Sequence, residues 1–260
     1  MAFIMVIFQV IGTGPIFGQS GELLAGSVDR ISISPGYYDT VLPFRPSVQI
    51  DDSSLLGCRG PCLHVLDDNT IYAVLQSGVS NSMLRYIRFT KSIDTGKIWL
   101  DPNIVIRYDP DIIILWPSLA VGPDSALNVV WSEPYDNGIL FSRSTDGGLT
   151  WSDTVRVDDA VPSGYRRYHP DITSPGDTLF ACWDEGPQSG GSTFYPWIAI
   201  STDNGQTWFG ETRITCVPPN NPGYLHRPYI RFDPAIKRIY VMWACEDGDV
   251  YVARSSDGTS

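Results

Sequence analysis

Between Ser142 and Ser152 the chain reads SRSTDGGLTWS. A hydroxyl, an acid, two glycines and a tryptophan in so short a stretch suit a catalytic acid, a metal ligand or a turn, and repetition decides among them. SIDTGKIW spans 92–99, STDGGLTW 144–151 and STDNGQTW 201–208, while SSDGTS opens at Ser255. Ser92, Ser144, Ser201 and Ser255 stand 52, 57 and 54 residues apart. The shared octet is Ser-x-Asp-x-Gly-x-x-Trp, and a period of this size marks a repeat architecture.

More than the octet recurs. Upstream of each copy a proline opens a strand, a turn follows, and a second strand comes back: PCLHVLDDNTIYAVL (61–75), PSLAVGPDSALNVVW (117–131), PDITSPGDTLFACW (170–183) and PYIRFDPAIKRIYVMW (228–243). Leu75 stands where the other three units end in Trp. A third strand leads into each octet, as in ILFSRS (139–144), WIAIS (197–201) and VYVARS (250–255), and a short fourth follows it, as in TVRVD (154–158) and TRITC (212–216). Val, Ile, Tyr, Phe and Trp fill these runs, with Gly, Pro, Asn and Asp between them, and helical periodicity is absent.

Four antiparallel strands per 50–60 residues describe a propeller blade, whose two apolar faces require neighbours. The reading is therefore all-β: a β-propeller of four-stranded antiparallel blades, about four of them. The blades fall at about 59–109, 115–160, 168–217 and 226–260 within a propeller region 45–260. Residues 46–50 resemble the fourth strand of a preceding or closing blade. The last octet stops short of its Trp, so an incomplete ring is the favoured expectation over a closed ring of four.

The octet sits between the third and fourth strands, so its task is to shape a hairpin. Gly96, Gly148 and Gly205 supply the positive φ of the turn. Asp94, Asp146 and Asp203, with Ser92, Ser144 and Ser201, accept backbone N–H groups, and Trp99, Trp151 and Trp208 cover the loop. Ser255 and Asp257 begin the fourth copy. A catalytic group has no reason to recur in every blade, whereas a folding signal has; calcium binding by these acids is the minor alternative. No cofactor or metal site is expected.

These copies resemble Asp-box (BNR) repeats of the sialidase-like β-propeller superfamily, over about residues 45–260. The resemblance implies fold more than function, because the superfamily holds sialidases, other glycosidases, sorting receptors and non-catalytic secreted repeat proteins. It also implies a ligand at the channel mouth, on the face opposite the octets. The rim then comes from residues just before each first strand and just after each second strand. The candidates are Trp116, Glu133, Tyr135, Arg167, His169, Asp184, Glu185, Arg227, Glu246 and Asp247.

A sialidase would place three arginines around a carboxylate, with a Tyr/Glu pair and an Asp acid. Here PFRP at 43–46 keeps part of the Phe-Arg-Ile-Pro motif, and Arg167 and Arg227 are the further arginines available. No motif assigns a catalytic residue. Three functions therefore stand: a secreted, non-catalytic glycan- or protein-binding propeller first, an exo-α-sialidase or related glycoside hydrolase second, and a structural cell-surface display module third.

Bulk composition agrees. Eighteen Lys and Arg against 29 Asp and Glu give a net charge of −11, which argues against a nucleic-acid phosphate track and against anionic membranes. The uncharged, apolar opening 1–19 reads as an export signal lacking a basic start, followed by a segment 20–44, and points to a secreted or cell-surface protein. Of five cysteines, Cys58 and Cys62 are close enough for a loop disulfide, and Cys182 reads as a small core residue. The partner expected is a glycan or an extracellular protein, without nucleic acid or membrane insertion.

Overall fold

Every first strand carries a proline close behind its start, and every second strand carries an unbroken apolar run. The computed structural model turns these into fifteen strands. It describes residues 48–50, 57–66, 68–80, 83–100, 103–135, 137–188, 194–214, 226–244 and 249–256, all within the unit Val48–Ser260. The proposed export signal, the segment 20–44, the PFRP motif, Asp257, Glu246 and Asp247 lie outside the described residues, as do Cys216 and Cys245.

The first sheet holds β1 (Arg59–Val65), β2 (Ile71–Ser80), β3 (Met83–Ser92) and β4 (Ile104–Tyr108). The second holds β5 (Leu115–Val121), β6 (Leu127–Glu133), β7 (Gly138–Ser144) and β8 (Val155–Arg156). The third holds β9 (Tyr165–Thr173), β10 (Leu179–Pro187), β11 (Tyr195–Ser201) and β12 (Phe209–Arg213). The fourth holds β13 (His226–Asp233), β14 (Arg238–Ala244) and β15 (Val250–Ser255). All pairings are antiparallel and sequential. This is the propeller read from the repeats, with the described part of the fourth blade three-stranded. Val48–Ile50 carries no strand, and the Ile50 carbonyl accepts from Asn103 Nδ2 at 3.1 Å, beside the start of β4.

The first strands β1, β5, β9 and β13 adjoin in that order, and polar residues stitch them together. Ser118 Oγ donates to Asp171 Oδ1 at 2.6 Å, while Asp171 Oδ2 accepts from the Ile230 amide at 2.9 Å and from Arg231 Nη1 at 2.7 Å. One carboxylate thus ties three blades. Cys62 carries a free thiol, so the Cys58–Cys62 bridge that the spacing allowed is not formed; burial raises its pKa, and Ser118 lies alongside it. Cys182 is fully buried, in the place a small apolar side chain would take.

Three apolar layers fill the gaps between sheets. Val74, Ile87 and Phe89 meet Leu127, Val129 and Trp131; Val130 and Phe141 meet Ala181 and Trp183; Phe180, Cys182 and Ile198 meet Ile230, Val241 and Trp243. The repeated Trp at the end of each second strand therefore packs against the preceding blade.

The three octets fold alike. Ser144 Oγ donates to Asp146 Oδ1 at 2.8 Å and accepts from the Gly148 amide at 2.9 Å, and Asp146 Oδ1 accepts from the amides of Leu149 and Thr150, each at 2.9 Å. Ser92 with Asp94, and Ser201 with Asp203, repeat the serine-to-acid bond at 2.7 and 2.8 Å. These bonds hold the three carboxyls below the ordinary range, Asp203 at about 2, with the Thr207 hydroxyl the largest cause there. The second and third octets also reach the preceding blade. The Phe89 ring of blade one packs edge-on against Trp151 at 5.5 Å, and Phe141 does the same with Trp208 at 5.5 Å. The turn is therefore an inter-blade clamp as well as a hairpin fastening.

Candidate functional site

The register places the octets and the strand starts at opposite ends of each sheet: Ser92 pairs with Ile71, whereas Arg59 pairs with Gln76 at the far end of β2. At that far end every blade has a β-bulge: between Arg59 and Cys62, between Leu115 and Ser118, opposite the Cys182–Asp184 step, and between His226 and Tyr229. The residue before the strand-opening proline is left-handed in all four: Gly60 at φ 54°, Trp116 at 52°, His169 at 47° and Arg227 at 50°. A bulge re-aims one side chain, and a proline next door disfavours the helical backbone regions, so three of these positions hold a conformation that non-glycine residues seldom take.

What the bulges bring together is aromatic and polar. The Trp116 and His169 rings lie 4.2 Å apart, and Tyr168 stands edge-on to Trp116 at 5.4 Å. Tyr168 continues to Phe194 at 5.9 Å. Beneath this surface the buried Asp184 carboxylate meets His169 Nδ1 at 3.1 Å and accepts from the Arg227 amide, and burial pushes its pKa up. Beside it the Arg166 guanidinium stacks over the half-exposed Tyr135 ring at 3.8 Å. Trp116, Tyr135, His169, Asp184 and Arg227 thus fall at one end of the sheets, with Tyr168 and Gln76 added. Gln76 Oε1 accepts from the Trp116 amide across the blade boundary.

The other described candidates do not reach that surface. Glu133 is fully buried, accepting from Arg107 Nε at 2.8 Å and Trp131 Nε1 at 3.2 Å, and from Asn137. Arg167 is 3% exposed and holds Asp158 at 2.6 Å, Glu185 at 2.8 Å and Glu211 at 2.6 Å. Its guanidinium fills the space between blades two and three, where an unpaired charge would be costly. Glu185 is spent on the same arginine. Spacing along the chain marks these residues as adjacent to the strand ends; alternation of side chains turns them inward. Among the described residues no group of three or more His, Cys, Asp or Glu is placed to hold a metal ion, and no helix is long and apolar enough to cross a membrane.

Comparison with known proteins places the fold. No protein-family model matches the chain. A xyloglucanase, Xgh74A of Acetivibrio thermocellus, is 24% identical over 192 residues, covering 65% of this chain and 21% of its own length; the chain thus spans about a fifth of the curated relative it matches. A protein of unknown function from Dyadobacter fermentans superposes with a TM-score of 0.63 at 16% identity, over 81% of this chain and 68% of that one. The Hadza microbial sialidase Hz136 gives 0.57 at 17% identity, over 80% and 46%. The Penicillium chrysogenum α-L-arabinanase complexed with arabinobiose gives 0.55 at 16% identity, over 80% and 64%. The fold is a β-propeller similar to that of the sialidase and the arabinanase.

Proposed function

We propose that this protein binds a glycan on the bulge-end face of the propeller. The observation that carries the reading is the continuous ring surface of Trp116, Tyr168 and His169 lying over the Asp184 carboxylate. A pyranose or furanose ring presents a face of C–H groups that packs on such rings, while its hydroxyls find the polar groups at the edge. The glycan-acting neighbours support a sugar over a peptide. Binding is favoured over hydrolysis because Glu133 and Glu185, the glutamates nearest the strand ends among the described residues, are committed to Arg107 and Arg167. The apolar run at 1–19 supports export to the cell surface or the medium.

Titration calorimetry with arabinobiose, a xyloglucan oligosaccharide and sialyllactose tests the reading. At least one is expected to bind, with the affinity falling tenfold or more in Tyr168→Ala and no reducing sugar released. Absence of binding by all three, or full affinity in Tyr168→Ala, would remove it. Turnover of any of them would move the protein to the hydrolase class.

A further inference from the structure

The same bulge recurs in four blades, yet the residue it presents differs in each: Gly60, Trp116, His169 and Arg227. By contrast the three full octets keep their Ser, Asp, Gly and Trp, and three of the four second strands carry the same Trp. A strained backbone site that keeps its geometry while changing its side chain is built to display that side chain. We propose that the left-handed position before each strand-opening proline is where this propeller reads its ligand, one residue per blade: a ring face from Trp116, an imidazole from His169, a guanidinium from Arg227, and an open quadrant at Gly60. This rests on the glycan-binding reading and names the residues that choose among sugars.

Two further groups support the arrangement. Gln76 and Asp184 occupy equivalent places after the second strand's apolar run, and each bridges two reading positions. Gln76 accepts from the Trp116 amide, and its side-chain carbon lies 3.3 Å from where a Cβ on Gly60 would stand. Asp184 grips the His169 ring and accepts from the Arg227 amide. Each bridge therefore fixes the backbone of the next blade's reading residue, so Gln76 and Asp184 are positioning residues. The open quadrant follows from the same contact: a side chain at residue 60 would displace Gln76. Arg227 is exposed, its amide is held by Asp184, and among the described residues its guanidinium has no bonded partner, so the charged end can meet an oxygen of the ligand.

The test separates display from structure. Arg227→Gly relieves a left-handed backbone at an exposed residue, so its thermal midpoint is expected to hold, whereas Trp116→Gly and His169→Gly also lose ring contacts and the Asp184 partner and are expected to lower it. Affinity for whichever of arabinobiose, the xyloglucan oligosaccharide or sialyllactose the wild type binds is expected to fall at least tenfold in each. Asparagine, which tolerates the left-handed region, provides a second set at the same positions with the same expectation for affinity. Wild-type affinity in both sets would overturn the inference while leaving glycan binding intact, provided Tyr168→Ala still loses it. A fall in thermal midpoint in Arg227→Gly would show that this exposed side chain serves stability, and would also overturn the inference. Failure of the wild type to bind any of the three sugars would remove both readings together.

Discussion

Gly148 and Gly205 carry two demands at once. Both have φ near +87°, and a Cβ on either would stand 2.1 Å from the ring of Phe89 or Phe141 on the preceding blade. Gly210 shares the positive φ but has open space around it. Gly148→Ala is therefore expected to lose about 2–4 kcal/mol, combining backbone strain with overpacking, and Gly210→Ala only about 1 kcal/mol. Urea unfolding of the two variants side by side checks this. The octets differ from one another in one informative place. Thr150 and Thr207 donate hydroxyls to their aspartates, whereas Ile98 stands at that position in the first copy. Ile98→Thr should lower the Asp94 carboxyl further, toward the Asp203 value of about 2, as read by carbon-13 NMR titration. A folded pKa below the unfolded one adds stability above the unfolded value and loses it as pH falls. The variant's gain should accordingly be present at neutral pH and vanish at strongly acid pH.

At the scale of elements, the joint between blades two and three is ionic as well as apolar. Asp158, two residues past β8, accepts from Arg167 of β9, and Glu211 of β12 accepts from the Asp159 amide at 2.7 Å. Burial raises the Asp158 and Glu211 carboxyls above their usual range, so their charged forms depend on Arg167 for compensation. Arg167→Met should cost about 3–5 kcal/mol at pH 8 by leaving carboxylates buried without their partner. Raised carboxyls take up protons more readily folded than unfolded, so their contribution improves as pH falls and worsens as it rises. The variant's deficit should thus shrink at pH 5, and chemical denaturation at the two pH values measures it. A deficit unchanged with pH would mean the cluster contributes by packing alone.

At the scale of the molecule, equivalent residues have unequal surroundings. Phe141 pairs with Val130 on the face of blade two that blade three covers, and it is 1% exposed. Val252 pairs with Met242 at the matching register in blade four and is 60% exposed. Phe141→Ala is expected to cost about 3–5 kcal/mol and Val252→Ala within about 0.5 kcal/mol, as calorimetric unfolding would show.

The octet period, the strand-opening prolines and the alternating apolar runs determine the all-β propeller, because hairpin turns and two-sided sheets are specified by neighbouring residues. The octets' structural role is legible for the same reason: their hydrogen bonds run between residues two to four apart. The site was only partly legible. Trp116, Tyr135, His169, Asp184 and Arg227 can be chosen from their place beside the strand ends, but Glu133, Arg167 and Glu185 occupy similar places and point inward to buried ion pairs. Which way each turns depends on a bulge that shifts the alternation by one residue, and on a partner in the adjacent blade tens of residues away. Gln76 bears no local mark at all, since its task is to hold a backbone forty residues distant. Short-range chemistry wrote the blades; only the stacking of one blade on the next decided which side chains stay at the bulge-end surface and which are buried.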